Sequence, residues 1–392
     1  MFSRDIRSDT TTEIATRDKT FENILFTNTG VLSRILIRIG SSGSTQNKMT
    51  QTDIRNLMRE NIRNLAPYST ARDEYQGGEL GIFLDANENP YDNGVNRYPD
   101  PHQRALKARL SEVKRVPVEN IFVGNGSDEA IDLMYRVFCE PRISNAISIA
   151  PTYGMYKVAA AINDVEMREV QLEEDFSLNA DKLLAVADEN SRLLWICSPN
   201  NPTANTFPAE TIEHIIRNFA GIVVLDEAYI DFAERPGFLS RLKEFPNLVI
   251  LQTLSKAWGM AGLRLGLAFA DPLIIATMSN VKYPYNVNGP TQHTVIERLG
   301  ISPAAQIAEI FNERKRIMEA MGQMPVIRKL YPSDANFVLI KVDEPRKVYD
   351  LLIAAGIIVR DRSRIKGCEG CLRVTVGTPE ENTRLLEVLS KL

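Results

Sequence analysis

One stretch of the sequence decides how the fold is interpreted: Leu248-Val249-Ile250-Leu251-Gln252-Thr253-Leu254-Ser255-Lys256-Ala257-Trp258-Gly259-Met260-Ala261-Gly262-Leu263-Arg264-Leu265-Gly266. Its first four residues form an apolar run of the length expected for a buried strand. Lys256 follows that run among Ser, Ala and Gly residues, an unusual setting for a solvent-facing lysine. Desolvation lowers the pKa of an amine, and a deprotonated lysine can bond a carbonyl carbon. A surface lysine in a loop is the simpler alternative, so the rest of the chain must decide between the two.

The length and composition are those of a globular chain with more than one domain. A chain of 392 residues is expected to form two or three domains. The formal net charge of −4 gives no indication of nucleic-acid binding or of an anionic membrane surface. No apolar run approaches the length of a membrane span, and four cysteines suit a reducing compartment. Because His102, His214 and His293 have no metal-ligand spacing, we expect a soluble, cytoplasmic protein without a metal site.

The first 48 residues differ in composition from the rest of the chain. They are rich in Thr, Ser and Arg, but their scattered acidic residues argue against an organellar leader. We therefore predict that residues 1–48 are a disordered extension and that Met49 begins the functional chain. Residues 49–88 are expected to form an arm that packs with the smaller of two domains.

Residues 120–250 alternate strand-like apolar runs with amphipathic helix patterns. This alternation predicts a mostly parallel sheet covered by helices, in an α/β domain of residues 89–300. The strand candidates are residues 121–123, 146–149, 193–196, 222–225 and 248–251.

From residue 301 to residue 392 the pattern indicates a smaller α+β domain. A long helix leads to strand candidates at residues 336–340, 357–359 and 372–376. Thr378-Pro379-Glu380-Glu381 is a capping box with proline at the first helical position, so it predicts the start of the last helix.

Polar residues follow several of the predicted strands, where ligands bind in open α/β sheets. Gly124-Asn125-Gly126-Ser127-Asp128-Glu129 offers glycines and a helix N-terminus to an anion, although such a stretch is more often only a turn. Asp226 could pair with a cationic ring nitrogen or could cap a helix. Tyr229 and the asparagines of residues 198–203 could hydrogen-bond a ring oxygen, and Tyr153 could stack on a flat ring.

These groups occur in chain order after strands, and together they are the set that pyridoxal 5'-phosphate requires. Lys256 would bond the aldehyde, and Asp226 would keep the pyridine nitrogen protonated. Arg264 and backbone N–H groups would hold the phosphate. We therefore predict pyridoxal 5'-phosphate as the cofactor.

From Met49 to Leu392 the chain resembles the fold-type I aminotransferases, class II subgroup, and within them the histidinol-phosphate aminotransferase family. The motifs that carry the resemblance are Asp85-Ala86-Asn87-Glu88-Asn89-Pro90, Arg97-Tyr98-Pro99, Pro151-Thr152-Tyr153-Gly154-Met155-Tyr156, residues 198–203, Asp226-Glu227-Ala228-Tyr229, the Lys256 stretch and Gly370-Cys371-Leu372-Arg373-Val374-Thr375-Val376-Gly377-Thr378.

The resemblance implies transamination of L-histidinol phosphate with 2-oxoglutarate, giving imidazole-acetol phosphate and glutamate in L-histidine biosynthesis. An aromatic-amino-acid aminotransferase or a threonine-phosphate decarboxylase stays open, because both would share the cofactor site. A non-enzyme alternative is a cofactor-sensing regulator, for which residues 1–48 are too short to supply a basic winged helix.

The resemblance also implies roles for individual residues. Lys256 is implied to be the catalytic lysine, which bonds the cofactor and moves the proton. The implied cofactor-binding residues are Ser127, Asp128, Tyr153, Asn201, Asp226, Tyr229, Ser255, Lys256, Arg264 and Tyr98. Tyr98 is implied to reach the site of a neighbouring subunit, which implies a homodimer. The implied substrate-binding residues are Arg373, on an amino-acid carboxylate, and Tyr68, Asn87 and Arg360, on the side chain and its phosphate.

Two details of the sequence lie outside this pattern. Ala204 stands where the family usually has glycine, so the turn after Thr203 must form without it. Cys368-Glu369-Gly370-Cys371 resembles a metal-binding or redox motif, but no second Cys/His pair accompanies it. We interpret that stretch as a turn.

Overall fold

The computed structural model describes residues 49–70 and 82–392. The prediction of a disordered extension at residues 1–48 lies outside the described residues. Residues Lys48–Leu392 form one compact unit, which contains a seven-stranded and a four-stranded β-sheet. Within the described ranges, no helix is long and apolar enough to cross a membrane.

The helices and strands follow the chain in this order. The helices are α1 (Gln51–Leu57), α2 (Glu60–Arg63), α3 (Arg104–Lys114), α4 (Ser127–Phe138), α5 (Met155–Ile162), α6 (Ala180–Ala185), α7 (Ala209–Asn218), α8 (Pro272–Val281), α9 (Gly289–Arg298), α10 (Ala304–Met321), α11 (Pro345–Ala354) and α12 (Pro379–Leu389). The strands are β1 (Ile121–Asn125), β2 (Asn145–Ala150), β3 (Glu166–Gln171), β4 (Ser191–Cys197), β5 (Ile222–Asp226), β6 (Leu248–Thr253), β7 (Leu265–Phe269), β8 (Lys329–Leu330), β9 (Phe337–Lys341), β10 (Arg360–Asp361) and β11 (Cys371–Thr375).

The seven-stranded sheet has the order β1-β7-β6-β5-β4-β2-β3 and is mostly parallel. Only β7 runs against its neighbours, pairing antiparallel with both β1 and β6. Helices cover both faces, so alternate residues of one strand enter two different cores, as Leu194 and Trp195 do. This double burial explains why these strands are continuous apolar runs. The predicted fold class, a mostly parallel helix-covered sheet plus a smaller α+β part, is confirmed.

Two strands of this sheet were absent from the sequence prediction. β3 lies at the edge of the sheet, and each of its six residues is either exposed or half-buried. It therefore lacks the apolar run that identified the central strands. β7 is fully buried, but it begins directly after Arg264, so its apolar residues follow the glycine-rich stretch without a turn signal that would mark a new strand.

The four-stranded sheet is antiparallel, with the order β10-β11-β9-β8. The predicted strand at residues 357–359 is wrong, because β10 begins only at Arg360. The reason is the C-terminal end of α11. Gly356 takes φ +77°, and the N–H of Ile357 donates to the carbonyl of Leu352 at 2.8 Å. These residues therefore close the helix and cannot extend the strand. The predicted capping box at Thr378 is present at the start of α12.

The described beginning of the chain packs against the large sheet's helices. Ile54 and Met58, one helical turn apart, are buried in the same apolar cluster as Ile274 and Met278 of α8. Gln51 adds a hydrogen bond to Asp271 at 3.1 Å. The expectation that this segment packs with the smaller domain is therefore wrong for α1, because the apolar face of α1 packs against α8. The domain boundaries themselves stay a prediction.

Two turns discussed from the sequence have defined geometry. Ala204 adopts φ +70°, the left-handed region that glycine enters more easily, and its methyl group is buried beside Tyr229 and Phe337. Alanine in place of glycine therefore requires a backbone conformation that costs about 1–2 kcal/mol, and its methyl group gains apolar contacts. The Cys368 stretch is a turn, as predicted, in which the N–H of Cys371 donates to the carbonyl of Cys368 at 2.9 Å.

Candidate active site

A pocket opens at the carboxyl ends of β4, β5 and β6, beside the N-terminus of α4. It is lined by every residue predicted to bind the cofactor except Tyr98. The lining residues are Gly126, Ser127, Asp128, Tyr153, Cys197, Asn201, Asp226, Ala228, Tyr229, Thr253, Ser255, Lys256 and Arg264. The parallel strands bring these residues together because their carboxyl ends meet at one edge of the sheet.

Lys256 extends from the loop after β6 towards the pocket opening. Its Nζ atom lies 5.6 Å from the centre of the Tyr229 ring. Partial desolvation and then the positive charge of Arg373 lower the pKa of the lysine, while Asp226 acts in the opposite direction. A lowered pKa increases the neutral fraction, which is the form that can attack a carbonyl carbon.

Asp226 is the last residue of β5 and is only 3% exposed. The hydroxyl of Tyr156 donates to its Oδ2 at 2.6 Å, and the N–H of Ala228 donates to its Oδ1 at 3.0 Å. Burial nevertheless raises the pKa of the carboxyl. A cationic group in the pocket would favour the ionised form, so the site suits a protonated ring nitrogen.

The anion cradle is built where β7 passes the start of α4. The N–H of Gly126 donates to the carbonyl of Arg264 at 2.7 Å, and α4 begins at the next residue. Gly266 lies so close that an added Cβ would be 2.1 Å from the amide nitrogen of Ser127. The guanidinium of Arg264 lies 3.7 Å from the carboxylate of Asp128, beside the same helix start. Free N–H groups at a helix start and an arginine suit a phosphate.

Replacing Gly266 with alanine is expected to weaken cofactor binding and to destabilise the protein by roughly 1–3 kcal/mol. The new methyl group would overlap backbone atoms of Gly126 and Ser127, which cannot move without displacing the cradle. Cofactor titration and thermal unfolding measure the two effects. Gly262→Ala in the same stretch is the control, since its Cβ would have no atom within 4 Å. Equal cofactor affinity in both variants would contradict the role of this close approach.

Tyrosines and an asparagine form the walls of the pocket. The hydroxyl of Tyr153 donates to Asp128 at 3.0 Å, and its ring meets Tyr156 edge-on at 5.6 Å between centres. The ring of Tyr229 packs edge-on against Phe337 at 5.1 Å. Asn201 accepts a hydrogen bond at its Oδ1 from the Nη1 atom of Arg373, at 2.5 Å. The pocket is therefore joined to the four-stranded sheet through Asn201.

Arg373 and Arg360 are brought together on the four-stranded sheet, where they pair directly across β10 and β11. The guanidinium of Arg373 lies 5.1 Å from the centre of the Phe337 ring, and its Nε atom is buried with no hydrogen-bond partner in the described ranges. Burial lowers the pKa of this guanidinium. An unsatisfied buried donor of this kind is expected where a ligand oxygen binds.

Three other predicted residues do not line the pocket. Tyr68 is 75% exposed, and Asn87 is exposed with φ +56°. Tyr98 stacks on Tyr285 with 4.4 Å between ring centres, and its N–H donates to Glu88. All three belong to the segment before α3.

The sequence prediction gave no role to two residues that the structure connects to this region. Tyr156 hydrogen-bonds the carboxylate of Asp226, and only its position in the Pro151–Tyr156 motif could have drawn attention to it. Arg362 follows β10, close enough for its charge to lower the pKa of Arg373. The spacing Arg360-Asp361-Arg362 places two arginines on one face of an extended strand. This spacing is the feature of the sequence that could have identified Arg362.

The donor set fits pyridoxal 5'-phosphate. A buried carboxylate needs a cation, an amine of lowered pKa faces the pocket, and Gly266 leaves room for an anion beside the start of α4. The three features match the ring nitrogen, the aldehyde and the phosphate of one molecule.

Comparisons with known proteins agree with this arrangement. The family model described as aminotransferase class I and II matches residues 82–389. A histidinol-phosphate aminotransferase from Parabacteroides distasonis is 50% identical over 342 residues, covering 87% of this chain and 99% of the relative. A second protein of that name, from Flavobacterium johnsoniae, is 48% identical over 348 residues, covering 88% of this chain and 100% of the relative.

Solved structures share the fold. A histidinol-phosphate aminotransferase from Clostridium acetobutylicum superposes with a TM-score of 0.70 at 24% identity, covering 76% of this chain and 90% of that one. The corresponding protein from Sinorhizobium meliloti, solved in complex with pyridoxal-5'-phosphate, gives 0.69 at 24% identity, covering 75% and 82%.

Proposed function

Because the chain belongs to the histidinol-phosphate aminotransferases, within aminotransferase class I and II, we propose that it transfers the amino group of L-histidinol phosphate to 2-oxoglutarate. The products are imidazole-acetol phosphate and glutamate, and the reaction belongs to L-histidine biosynthesis. The observation that carries the proposal is the near-complete overlap with relatives of that name at about 50% identity, together with a pocket that combines Lys256, Asp226 and the Gly266 cradle.

The cofactor is pyridoxal 5'-phosphate, which when bound supplies a carbonyl that exchanges with amines and a ring that takes up electrons from a broken C–H bond. The backbone N–H groups of Ser127 and Asp128, with the side chains of Ser255 and Arg264, would hold its phosphate at the positive end of the α4 dipole. Tyr153 stacks on its ring.

Asp226 holds the ring nitrogen in its protonated form. The carboxylate is fixed by the hydroxyl of Tyr156 and by the N–H of Ala228, so it cannot turn away. Tyr229 and Asn201 donate to the ring oxygen. Lys256, at its neutral Nζ, would be the group that accepts the proton from the substrate carbon and later gives it back. The lowered pKa of Lys256 keeps this amine ready to accept the proton.

The substrate groups are bound by the four-stranded sheet and by the segment before α3. Arg373 binds a carboxylate of the 2-oxo acid in a bidentate manner. Arg360, Tyr68 and Asn87 bind the side chain of the amino donor and its phosphate. In this arrangement residues 89–300 form the cofactor domain, and residues 301–392 form the smaller domain that contributes Arg360 and Arg373.

The active unit is a homodimer in which Tyr98 reaches the neighbouring cofactor. Between residues 65 and 98 the described chain exposes a group of large apolar side chains, which is typical of an interaction surface. They are Leu65, Tyr68, Ile82, Leu84, Tyr91, Val95 and Tyr98. This surface explains why Tyr68, Asn87 and Tyr98 lie away from the pocket of their own chain. Light scattering of the purified protein should give twice the chain mass, and a stable monomer would contradict the proposal.

The cytoplasm is the proposed location. All four cysteines are free and buried, as expected for a protein that folds in a reducing compartment. Fractionation of the source cells tests this directly, and recovery in an oxidising compartment would contradict it.

Turnover of L-histidinol phosphate with 2-oxoglutarate tests the proposed reaction. We expect kcat/KM for this donor to exceed that for phenylalanine by roughly a hundredfold or more, because groups placed for a phosphate stay unpaired with an apolar side chain. Release of carbon dioxide from threonine phosphate, measured in parallel, would indicate the decarboxylase instead. Turnover of histidinol phosphate no faster than that of phenylalanine would overturn the proposal.

A further inference from the structure

Three arginines lie on one face of the four-stranded sheet. Arg360 and Arg373 are directly opposite each other in the pairing of β10 with β11. The N–H of Arg362 continues the pairing by donating to the carbonyl of Cys371 at 2.9 Å. Since side chains alternate along an extended strand, Arg360 and Arg362 point to the same face as Arg373. Leu372, which points to the other face, is fully buried in the core beneath the sheet.

This face is the one that meets the cofactor pocket. Arg373 is paired with Leu339 on β9, so Phe337, two residues earlier, shares the same face. Phe337 packs against Tyr229, and the ring of Tyr229 lies next to the Nζ atom of Lys256. The three arginines therefore lie on the side of the sheet from which a substrate side chain would approach Lys256.

The described protein compensates the charge of Arg362 only in part: burial lowers the pKa of its guanidinium by more than Asp361 raises it. Its side chain is half-buried, and its Nε atom is fully buried with no hydrogen bond in the described ranges. Within those ranges no carboxylate lies within 4 Å of the guanidinium of Arg360, Arg362 or Arg373, although surface arginines elsewhere in the chain commonly have such partners. The neighbouring Asp361 accepts instead from the N–H and the hydroxyl of Ser363.

Grouping three like charges, two of them on half-buried side chains, is unfavourable for folding. Besides burial, the charges of Arg362 and Arg360 both lower the pKa of Arg373, which indicates how closely the three are placed. Burial and the charge of Arg360 likewise lower the pKa of Arg362. Uncompensated features of this kind are retained mainly where a ligand supplies the missing charge. A ligand with two negative charges would neutralise the group better than one carboxylate.

We propose that Arg362 binds the distal phosphate of the amino donor and sets the preference for a phosphorylated substrate. Its planar guanidinium can donate two parallel hydrogen bonds to phosphate oxygens. Arg360 lies on the adjacent position of the same face, and Arg373 stays available for the carboxylate of the 2-oxo acid. This inference rests on the proposed function and adds a residue that determines its specificity.

Binding of inorganic phosphate to the holoenzyme tests the site apart from catalysis, because the cofactor then occupies the cradle at α4. Calorimetry on the wild-type enzyme and on Arg362→Gln should show affinity reduced roughly ten- to a hundredfold in the variant. Arg362→Lys, which keeps the charge but not the planar fork, should lose less. Arg364→Gln is the matched control, since Arg364 is exposed two residues further on and should bind phosphate as the wild type does.

Steady-state kinetics then connects the site to the substrate. For Arg362→Gln, kcat/KM for histidinol phosphate should fall by a similar factor, while kcat/KM for phenylalanine should change less than about threefold. Equal phosphate affinity in Arg362→Gln and Arg364→Gln would overturn the inference, as would an equal loss with both donors. Weaker phosphate binding by Arg362→Gln together with a wild-type enzyme that does not convert histidinol phosphate would instead refute the proposed function and leave the anion site standing.

Discussion

Replacing Lys256 with alanine is expected to lower kcat by at least about 10³-fold while leaving the fold intact. The variant would lose both the amine that bonds the cofactor and the group that moves the proton, and proton transfer alone contributes about 10²- to 10⁴-fold. Removal of this positive charge should not destabilise the protein, because partial desolvation and Arg373 already disfavour the charged form. Single-turnover kinetics with added cofactor gives the loss, and circular dichroism reports the fold.

A second signal distinguishes the lost covalent bond from a general disturbance of the site. The wild-type protein should absorb near ~420 nm when the cofactor is bonded to the lysine, and Lys256→Ala should lack this band even though the cofactor still binds. Lys243→Ala provides the control, since this exposed lysine precedes β6 in the sequence and does not line the pocket. A Lys256→Ala variant that retains the band and more than a tenth of the activity would show that another amine carries the chemistry.

The central strands could be predicted from the sequence because both faces of the large sheet are covered. β2, β5 and β6 are fully buried along their whole length, so most of their residues are apolar and each contains a short apolar stretch typical of a buried strand. β3 lacks this signal because one side of an edge strand meets solvent. The prediction of a strand at residues 357–359 is wrong because the turn that ends α11 extends into this stretch. The left-handed conformation of Gly356 determines where that turn forms, and the apolar pattern does not reveal it.

That the candidate cofactor residues would line one pocket could be predicted for a similar reason. Each lies directly after a strand or at the start of a helix, and a parallel sheet brings such positions together whatever the details of packing. The substrate residues depend on more distant relations. Arg362 reaches the face of Arg373 only through the register of β10 and β11, which the sequence does not reveal. Tyr68 and Tyr98 are exposed, and their proposed roles depend on a second copy of the chain that one sequence does not place.

Replacing Asp226 with asparagine should separate activity from stability. The side chain keeps its shape and can still accept from the N–H of Ala228 at Oδ1, while its new Nδ2 donates to the hydroxyl oxygen of Tyr156 instead of an oxygen accepting from that hydroxyl, and it no longer offers a charge to the ring nitrogen. A carboxylate partner raises the pKa of a nearby cationic nitrogen by about 1–3 units, so its loss should reduce kcat roughly 10- to 1000-fold. The free energy of unfolding of the cofactor-free protein should stay equal or rise, because burial raises the pKa of Asp226 and its ionised form is costly there.

Glu227→Gln is the matched control for that experiment. Glu227 is the adjacent residue and equally buried, burial raises its pKa to about 7, and its carboxylate faces away from the pocket to accept from Phe238 at 2.7 Å and Gln252 at 3.2 Å. If a buried negative charge anywhere in this loop were sufficient, both variants would lose activity to the same degree. If the charge must face the cofactor nitrogen, only Asp226→Asn should show the large loss in kcat. Equal losses would mean that Asp226 acts through the structure of the loop and not through its contact with the ring.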